Sequence, residues 1–286
     1  MLPRRVLLAA LPALTLAPPT LAAPAGFLDV RSFGARGDGK TDDTQALRAA
    51  HAVGKPVWYP RPAAYYRITG VIEVTASVSG DSAEIRCLQD GSIEKSIFRV
   101  RRNRTPLTIT GMVLNGLHRG QTRGGQWSMG VLLAGARNVT ITRNVIRAPY
   151  GDCVYLGNLD QKLACRNIRI TENQLLDPRR CCVAVVCGDT VLISGNTLRK
   201  PNDFVGTVDL EPDGNGFDYV TRVQVLDNRV ETVGDFFVAA GNNGVPSQGV
   251  VVRGNRGRWK RFSHITESAR LVAPVFADNV RDKPKA

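Results

Sequence analysis

The sequence is poor in side chains that bind transition metals. Its three histidines, His51, His118 and His264, lie far apart, and no two of its six cysteines form a C-x-x-C pair. Structural metal sites are built from such closely spaced ligands. We therefore expect no metal centre made of cysteine or histidine. Ca²⁺ bound by carboxylate oxygens is the only cofactor left to consider.

Long apolar runs are also absent, apart from one near the N-terminus. Two arginines precede the apolar run 6–16, and small residues and prolines follow it. This order is typical of a secretory signal, and the run is too short to span a bilayer. We expect residues 1–25 to be a signal peptide and residues 26–286 to form one domain. The mature protein is then secreted or periplasmic, without a membrane span.

Acidic residues are outnumbered in this chain. It has 38 lysines and arginines against 25 aspartates and glutamates, which gives a net charge of +13. Residues 1–25 hold two arginines and no acid, so the chain without them has a net charge of +11. A basic protein favours polyanions. The cations are scattered and no nucleic-acid-binding module is present, so the expected partner is an anionic polysaccharide rather than nucleic acid. The alternative is that the charge serves only solubility or loose adhesion to a cell wall.

A strand pattern that ends in asparagine recurs along the second half of the chain. β-branched residues alternate with polar ones before asparagines 144, 173, 196, 228, 255 and 279, at steps of 29, 23, 32, 27 and 24 residues. Such units cannot bury their apolar face alone, so they must stack. The repeat predicts a parallel β-helix in which the asparagines form a ladder along the stack.

The start of the mature chain carries a family resemblance. It reads DVRSFGARGDGKTDDTQALRAA, followed by VWYP and YYRITGVIEV. With the repeats, these residues resemble the pectate-lyase-like, polygalacturonase-related β-helix proteins. The resemblance implies a single-stranded right-handed parallel β-helix and a carbohydrate substrate. Proteins of this kind include lyases, hydrolases, epimerases and phage tail proteins. Within the same segment, Asp42 and Gln45 form a pattern like a capping box, which predicts a short helix from Thr44 to His51 that covers the open end of the stack.

The strand that follows each asparagine predicts the position of the site. Period-two alternation places Tyr155, Ala184, Asp209 and Val238 in one outward column, with Glu211 on the same face as Asp209. A column of small side chains flanked by loops predicts a groove along the solenoid. Such a groove suits a linear polymer.

Asp209 and Glu211 are the main catalytic candidates. Their i, i+2 spacing on a strand allows the carboxyl separation used by glycosidases, and two close carboxyls push one pKa upward. Together with Asp213, they could instead bind Ca²⁺. The structural alternative is a solvated outward face followed by a turn.

Further candidates flank this pair. Tyr155 is a proton donor or a stacking platform for a sugar, and Asp152 occupies a turn where a backbone-bonding role competes with catalysis. Three cations before the groove strands are carboxylate-binding candidates or ordinary surface charges; they are Arg179, Arg180 and Lys200. The glycine-rich loop 118–127 is expected to bring Arg123 and Trp127 to a substrate, unless it is an ordinary long loop.

Four of the cysteines occupy matching positions in adjacent repeats. Cys153 and Cys182 each lie nine residues after their asparagine, so they should stack on adjacent coils at a distance that allows a disulfide. Cys165 and Cys187 precede theirs by eight and nine residues and should also lie near each other. Buried free thiols are the alternative.

Of the polygalacturonase-like catalytic sequences, the Asn-Thr-Asp strand and the Gly-His-Gly turn are absent, and no Asp-Asp pair occurs in the repeats. The sequence therefore predicts an exported β-helix enzyme that cleaves an acidic or polar polysaccharide, with hydrolysis favoured over β-elimination. The alternative is a non-catalytic solenoid for glycan binding or surface attachment. The sequence leaves the oligomeric state open.

Overall fold

A computed structural model of the chain shows a right-handed parallel β-helix, and it describes residues 22–120, 125–159, 162–213, 217–240, 245–266 and 269–283. The predicted signal peptide lies mostly outside these residues. Every pairing between the described strands is parallel, and each strand pairs with its counterpart in the next coil. The predicted fold class is confirmed.

The first coils are led by a 3₁₀ turn (Val30–Phe33) and one α-helix, α1 (Thr44–Ala52). Their strands are β1 (Leu28–Asp29), β2 (Val57–Tyr59), β3 (Tyr66–Ile68), β4 (Ile72–Glu73), β5 (Val78–Cys87), β6 (Phe98–Arg101), β7 (Leu107–Asn115) and β8 (Val131–Ala134). A second 3₁₀ turn, Ile93–Lys95, precedes β6.

The regular coils follow, each with strands on three faces. They are β9 (Arg137–Thr142), β10 (Val145–Arg147), β11 (Val154–Gly157), β12 (Cys165–Thr171), β13 (Gln174–Leu176), β14 (Val183–Val185), β15 (Gly188–Ser194), β16 (Thr197–Lys200), β17 (Val208–Leu210), β18 (Val220–Leu226), β19 (Arg229–Thr232) and β20 (Asp235–Ala239). The last coils hold β21 (Pro246–Gln248), β22 (Val251–Arg253), β23 (Arg256–Arg258), β24 (Arg261–Ile265), β25 (Arg270–Val272), β26 (Val275–Ala277) and β27 (Val280–Arg281).

One face of the stack is a separate sheet that carries the site. Among the described residues, the other two faces join into a 19-stranded sheet, and the third face is an eight-stranded sheet in the order β4-β6-β8-β11-β14-β17-β20-β24. Inward side chains of all faces form one continuous core of valine, isoleucine and leucine. Their β-branched shape suits the pleated surface, and each coil is stable only because its neighbours cover it.

The asparagine ladder lies at the bend between two faces. The side-chain amide of Asn173 donates to Asn196 Oδ1 at 3.1 Å, and that of Asn196 donates to Asn228 Oδ1 at 3.0 Å. The same oxygens accept the backbone N–H of the preceding asparagine. The ladder begins at Asn144 and continues through Asn255 to Asn279. It satisfies the buried polar groups of a bend that recurs in every coil, as the sequence predicted.

Helix α1 closes one end of the stack. Its buried face includes Leu47, Ala50 and His51. The predicted capping box is wrong: Asp42 Oδ1 accepts the N–H of Thr44 at 3.0 Å. Asp43, which precedes the helix, bonds instead to the N–H groups of residues 36 and 37. The helix is the predicted one, with Asp43 fixing the preceding loop and Asp42 bonding the first helical residue. Within the described part of the chain, no helix has the length and apolar character needed to cross a membrane.

All six cysteines are buried free thiols. Cys153 and Cys182 stack as predicted, since the residues that follow them, Val154 and Val183, are paired in register. Each thiol donates to a carbonyl of its own coil at 3.5 Å, and no disulfide joins them. Cys165 and Cys187 also lie near each other as predicted: the N–H of Cys165 donates to Cys187 O at 3.2 Å, and Cys165 is in register with the next residue, Gly188.

Candidate functional site

The predicted outward column exists. In the eight-stranded sheet, Tyr155 pairs with Ala184, Ala184 with Asp209, and Asp209 with Val238. Alternation along each strand therefore gave the correct side of the sheet for these residues.

The column does not line an open groove, which corrects the sequence prediction. Tyr155 is 4% exposed and Asp209 is 1% exposed. Trp127 packs its ring edge-on against Tyr155 at a centroid distance of 5.7 Å. Met129 and Cys181 complete a small apolar cluster over the sheet. An outward apolar column gains stability by being covered, and a loop from an earlier coil supplies the cover.

Asp209 is a carboxyl held in this covered layer. Its Oδ2 lies 3.9 Å from the Cys181 thiol, and its Oδ1 has no hydrogen-bond partner within the described residues. Burial raises the pKa of Asp209 to about 8, and the charges of Glu211 and Asp152 act in the same direction. The carboxyl is therefore mostly protonated at neutral pH.

Arg180 joins two other carboxylates beside it. Its Nε lies 3.6 Å from Asp152 Oδ1, and its Nη2 donates to Glu211 Oε2 at 3.5 Å. A further contact ties the guanidinium to Gln126. The arginine that the sequence assigned to substrate binding is thus the shared counterion of an acidic cluster, and its side chain is only 10% exposed.

Asp152 lies at the base of the cluster. It is fully buried, and its Oδ1 accepts the backbone N–H of Cys181 at 2.8 Å. Burial raises its pKa, while the charge of Arg180 opposes that rise. Its Oδ2 finds no partner among the described residues. Asp152 therefore has the backbone-bonding role that was predicted, but it bonds to the next coil rather than to its own turn, and the ion pair comes in addition.

Glu211 and Asp213 form the accessible edge of the cluster. The Glu211 side chain is 34% exposed, and burial raises its pKa against the pull of Arg180. Asp213 is exposed, and its pKa is also raised by partial desolvation and by Asp218. A ligand reaches these two carboxyls before it reaches Asp209.

Tyr155 stays protonated in this setting. Burial raises the pKa of its phenol, and the nearby charges of Asp213 and Asp152 raise it further. A tyrosine that acts as a base needs the opposite shift. Its ring instead packs under Trp127.

Two predicted binding cations lie elsewhere. Lys200 is fully buried, and its ammonium donates to Asn202 O at 2.9 Å, to Asn202 Oδ1 at 2.8 Å and to Val205 O at 3.0 Å. Arg179 lies over the rings of Tyr150 and Phe204, at 4.7 and 5.0 Å. Both side chains stabilise turns, and among the described residues neither forms an ion pair with the acidic cluster, although the charge of Lys200 opposes the burial that raises the pKa of Asp152. Arg123 lies outside the described residues.

The structure adds two groups that the sequence did not single out. Cys181 follows Arg180 directly and faces Asp209, and Gln126 reaches Arg180 from the loop before β8. Neither belongs to a motif, and only packing between coils brings them together. In the described part of the chain, no group of three or more His, Cys, Asp or Glu side chains is arranged to hold a metal ion.

Comparisons with known proteins agree on the fold. No protein-family model matches the chain, and no curated protein matches its sequence. Among solved structures, the Agl-KA catalytic domain superposes with a TM-score of 0.65 at 14% identity, over 93% of this chain and 50% of that one. The mannuronan C-5 epimerase AlgE4 A-module of Azotobacter vinelandii gives 0.58 at 16%, over 88% and 76%. The tailspike of Escherichia coli bacteriophage HK620 gives 0.59 at 12%, over 89% and 57%.

The chain therefore has the right-handed parallel β-helix fold of these solved structures. The chain spans half of the Agl-KA domain and little more than half of the tailspike. At these identities the likeness concerns the fold alone, and the activity has to be argued from the site.

Proposed function

We propose that this protein is an exported β-helix enzyme that hydrolyses an acidic or polar polysaccharide at the cluster of Asp209 and Glu211. The observation that carries the proposal is the contrast between the two carboxyls. Asp209 is buried and holds its proton to a pKa of about 8, whereas Glu211 is a third exposed and bonded to Arg180. Two carboxyls with different environments are the acid and the base of glycoside hydrolysis.

In the proposed reaction, Asp209 gives its proton to the glycosidic oxygen as the carbon–oxygen bond breaks. Glu211 acts as the carboxylate, either as the base that activates a water or as the nucleophile that a water later displaces. The guanidinium of Arg180 favours the ionised form of Glu211. The net change is one water added across one glycosidic bond.

Access to Asp209 requires a movement. Asp209 is 1% exposed, and we take as its cover the nearby Cys181 and Arg180 together with Gln126, which contacts Arg180. We infer that substrate binding at Glu211 and Asp213 displaces this cover. Exclusion of water before binding then keeps the proton on Asp209.

β-Elimination has less support. It needs a base that removes a proton next to a carboxylate, and the sequence offered a basic residue acting together with Tyr155 or Ca²⁺ for this reaction. The buried phenol, with its pKa raised by desolvation and by acids, is a poor base. The three cations near the groove strands, Arg180, Arg179 and Lys200, are respectively ion-paired, stacked on rings and buried in a turn, so none of them is free to act as a base.

The burial of Asp209 also favours a second candidate, a non-catalytic solenoid that binds a glycan at its surface. The structural neighbours support a polysaccharide partner without deciding between the two. One is a mannuronan epimerase module, and another is a tailspike solved with a hexasaccharide. The anionic character of the polymer, export by the segment 1–25 and a secreted or periplasmic location belong to the same proposal.

A panel of anionic and neutral polysaccharides, incubated with the mature protein with and without Ca²⁺, tests the proposal by mass spectrometry of released fragments. The hydrolase proposal is supported if the wild type releases fragments that carry an added water. The variants Asp209→Asn and Glu211→Gln should then release no fragments, and Glu231→Gln should release them as the wild type does. Glu231 is the matched control, since it is an exposed glutamate paired with an arginine on another face. Fragments that carry a double bond make the protein a lyase. Binding without fragments makes it the glycan-binding solenoid.

A further inference from the structure

A cleft of about 640 Å³ opens where the eight-stranded sheet turns into the next coil. It is lined by Arg102, Asn103, Arg104, Gly135, Arg137 and Leu163. Half of these residues are arginines and none is acidic. The cleft is separate from the acidic cluster.

The three arginines have no counterion in the described part of the chain. The neighbouring arginines differ: Arg101 pairs with Glu73 at 3.6 Å, and Arg166 pairs with Asp189 at 3.8 Å. Positive charges gathered in a concave site repel one another and raise the local concentration of anions. An anionic ligand is the complement of this cleft.

The cleft is also held in shape. The Asn103 side chain donates to the carbonyls of Thr105 at 2.8 Å and Arg137 at 2.6 Å, and it accepts the N–H of Arg137 at 2.8 Å. This amide ties two adjacent coils together at the base of the cleft. A fixed backbone lowers the entropic cost of binding.

The cleft and Glu211 lie along the same edge of the sheet. The cleft begins just after β6, whose last residue, Arg101, pairs with Ala134 of β8. From β8 the parallel pairing continues through β11 and β14 to β17, and Glu211 directly follows β17. These are four steps between coils, or roughly 20 Å at the spacing of paired strands. Only an oligomeric ligand can reach both places at once.

We propose that this cleft binds a carboxylate or sulfate group of an anionic polysaccharide whose chain runs along the stack toward Glu211. Arginine forks bind planar and tetrahedral anions through paired N–H donors. Only the direction of the chain rests on the proposed hydrolysis, because binding in the cleft requires no turnover.

Calorimetric titration tests the inference with three probes of equal length, an oligogalacturonate, a sulfated oligosaccharide and a neutral oligosaccharide. All chains carry Glu211→Gln so that turnover does not consume the probe. The cleft variant is R102Q/R104Q/R137Q. The control variant R143Q/R229Q/R256Q removes the same charge from three exposed arginines on other faces.

We expect one or both anionic probes to bind and the neutral probe not to bind. The cleft variant should bind roughly tenfold more weakly and with a smaller salt dependence, while the control stays within about twofold. The better anionic probe identifies the anion. Equal losses in the two variants, or no binding of either anionic probe, overturn the inference. Binding through the cleft without any fragments in the cleavage assay keeps it and removes the hydrolase proposal.

Discussion

The Nε atom of Arg180 lies 3.6 Å from Oδ1 of Asp152, and both side chains are shielded from solvent. This ion pair connects the buried base of the acidic cluster to its accessible edge, because the same guanidinium bonds to Glu211. The cluster is therefore one electrostatic unit. Substitutions in the cluster should therefore alter the stability of the protein as well as its function.

Arg180→Met should destabilise the protein by about 3 kcal/mol, since it leaves the Asp152 carboxyl buried without its counterion. The double variant with Asp152→Asn should recover part of the loss, because the buried charge is removed together with its partner. Urea unfolding of both variants and of Arg143→Met, an exposed arginine, measures the difference. Equal stability of Arg180→Met and Arg143→Met would contradict the buried ion pair.

Asp209 should make stability depend on pH. Its pKa rises from an ordinary 3.8 to about 8 in the folded state, so the folded state binds the proton more tightly. The stabilisation from this proton is fully present below pH 4 and is lost as the pH rises through 8; its upper limit is about 6 kcal/mol. Unfolding free energies between pH 4 and 9 should fall more steeply in the wild type than in Asp209→Asn. Parallel curves would show that Asp209 ionises normally.

The fold was predictable because it depends on local repetition. The asparagines and the alternating β-branched residues recur in the coils from Asn144 onward, so the register of Tyr155, Ala184 and Asp209 followed from counting. The burial of that column could not be predicted from the repeat. It depends on Trp127, which comes from an earlier coil and packs over Tyr155.

Lys200 shows the same limit in another way. A cation before a strand suggests an exposed charge, but the turn after it wraps three oxygens around its ammonium. Such packing between loops leaves no periodic signal. For the same reason, Arg180 was predicted as a binding residue and not as the counterion of Asp152.

The asparagine ladder should be a main source of stability. The Asn196 amide donates to Ile170 O and accepts the N–H of Asn173, so Asn196→Ala leaves buried polar groups in two coils without partners. We expect a loss of about 3 kcal/mol or more. Gln174→Ala, at an exposed position beside the ladder, is the control and should change stability by less than about 0.5 kcal/mol. Urea denaturation of the two variants measures the loss in unfolding free energy, and equal losses would contradict a stabilising role of the ladder.

The six cysteines should react as buried thiols. All six are free and buried, and burial raises the pKa of Cys153 and Cys181 well above the ordinary value, so thiolate is scarce and the sulfur is inaccessible. Native protein should therefore take up almost no alkylating reagent within minutes, and protein unfolded in urea without reductant should take up six equivalents per chain. Mass spectrometry of the alkylated protein counts them. Four equivalents, with Cys153 and Cys182 unmodified until reductant is added, would mean that the stacked pair is oxidised in the purified protein.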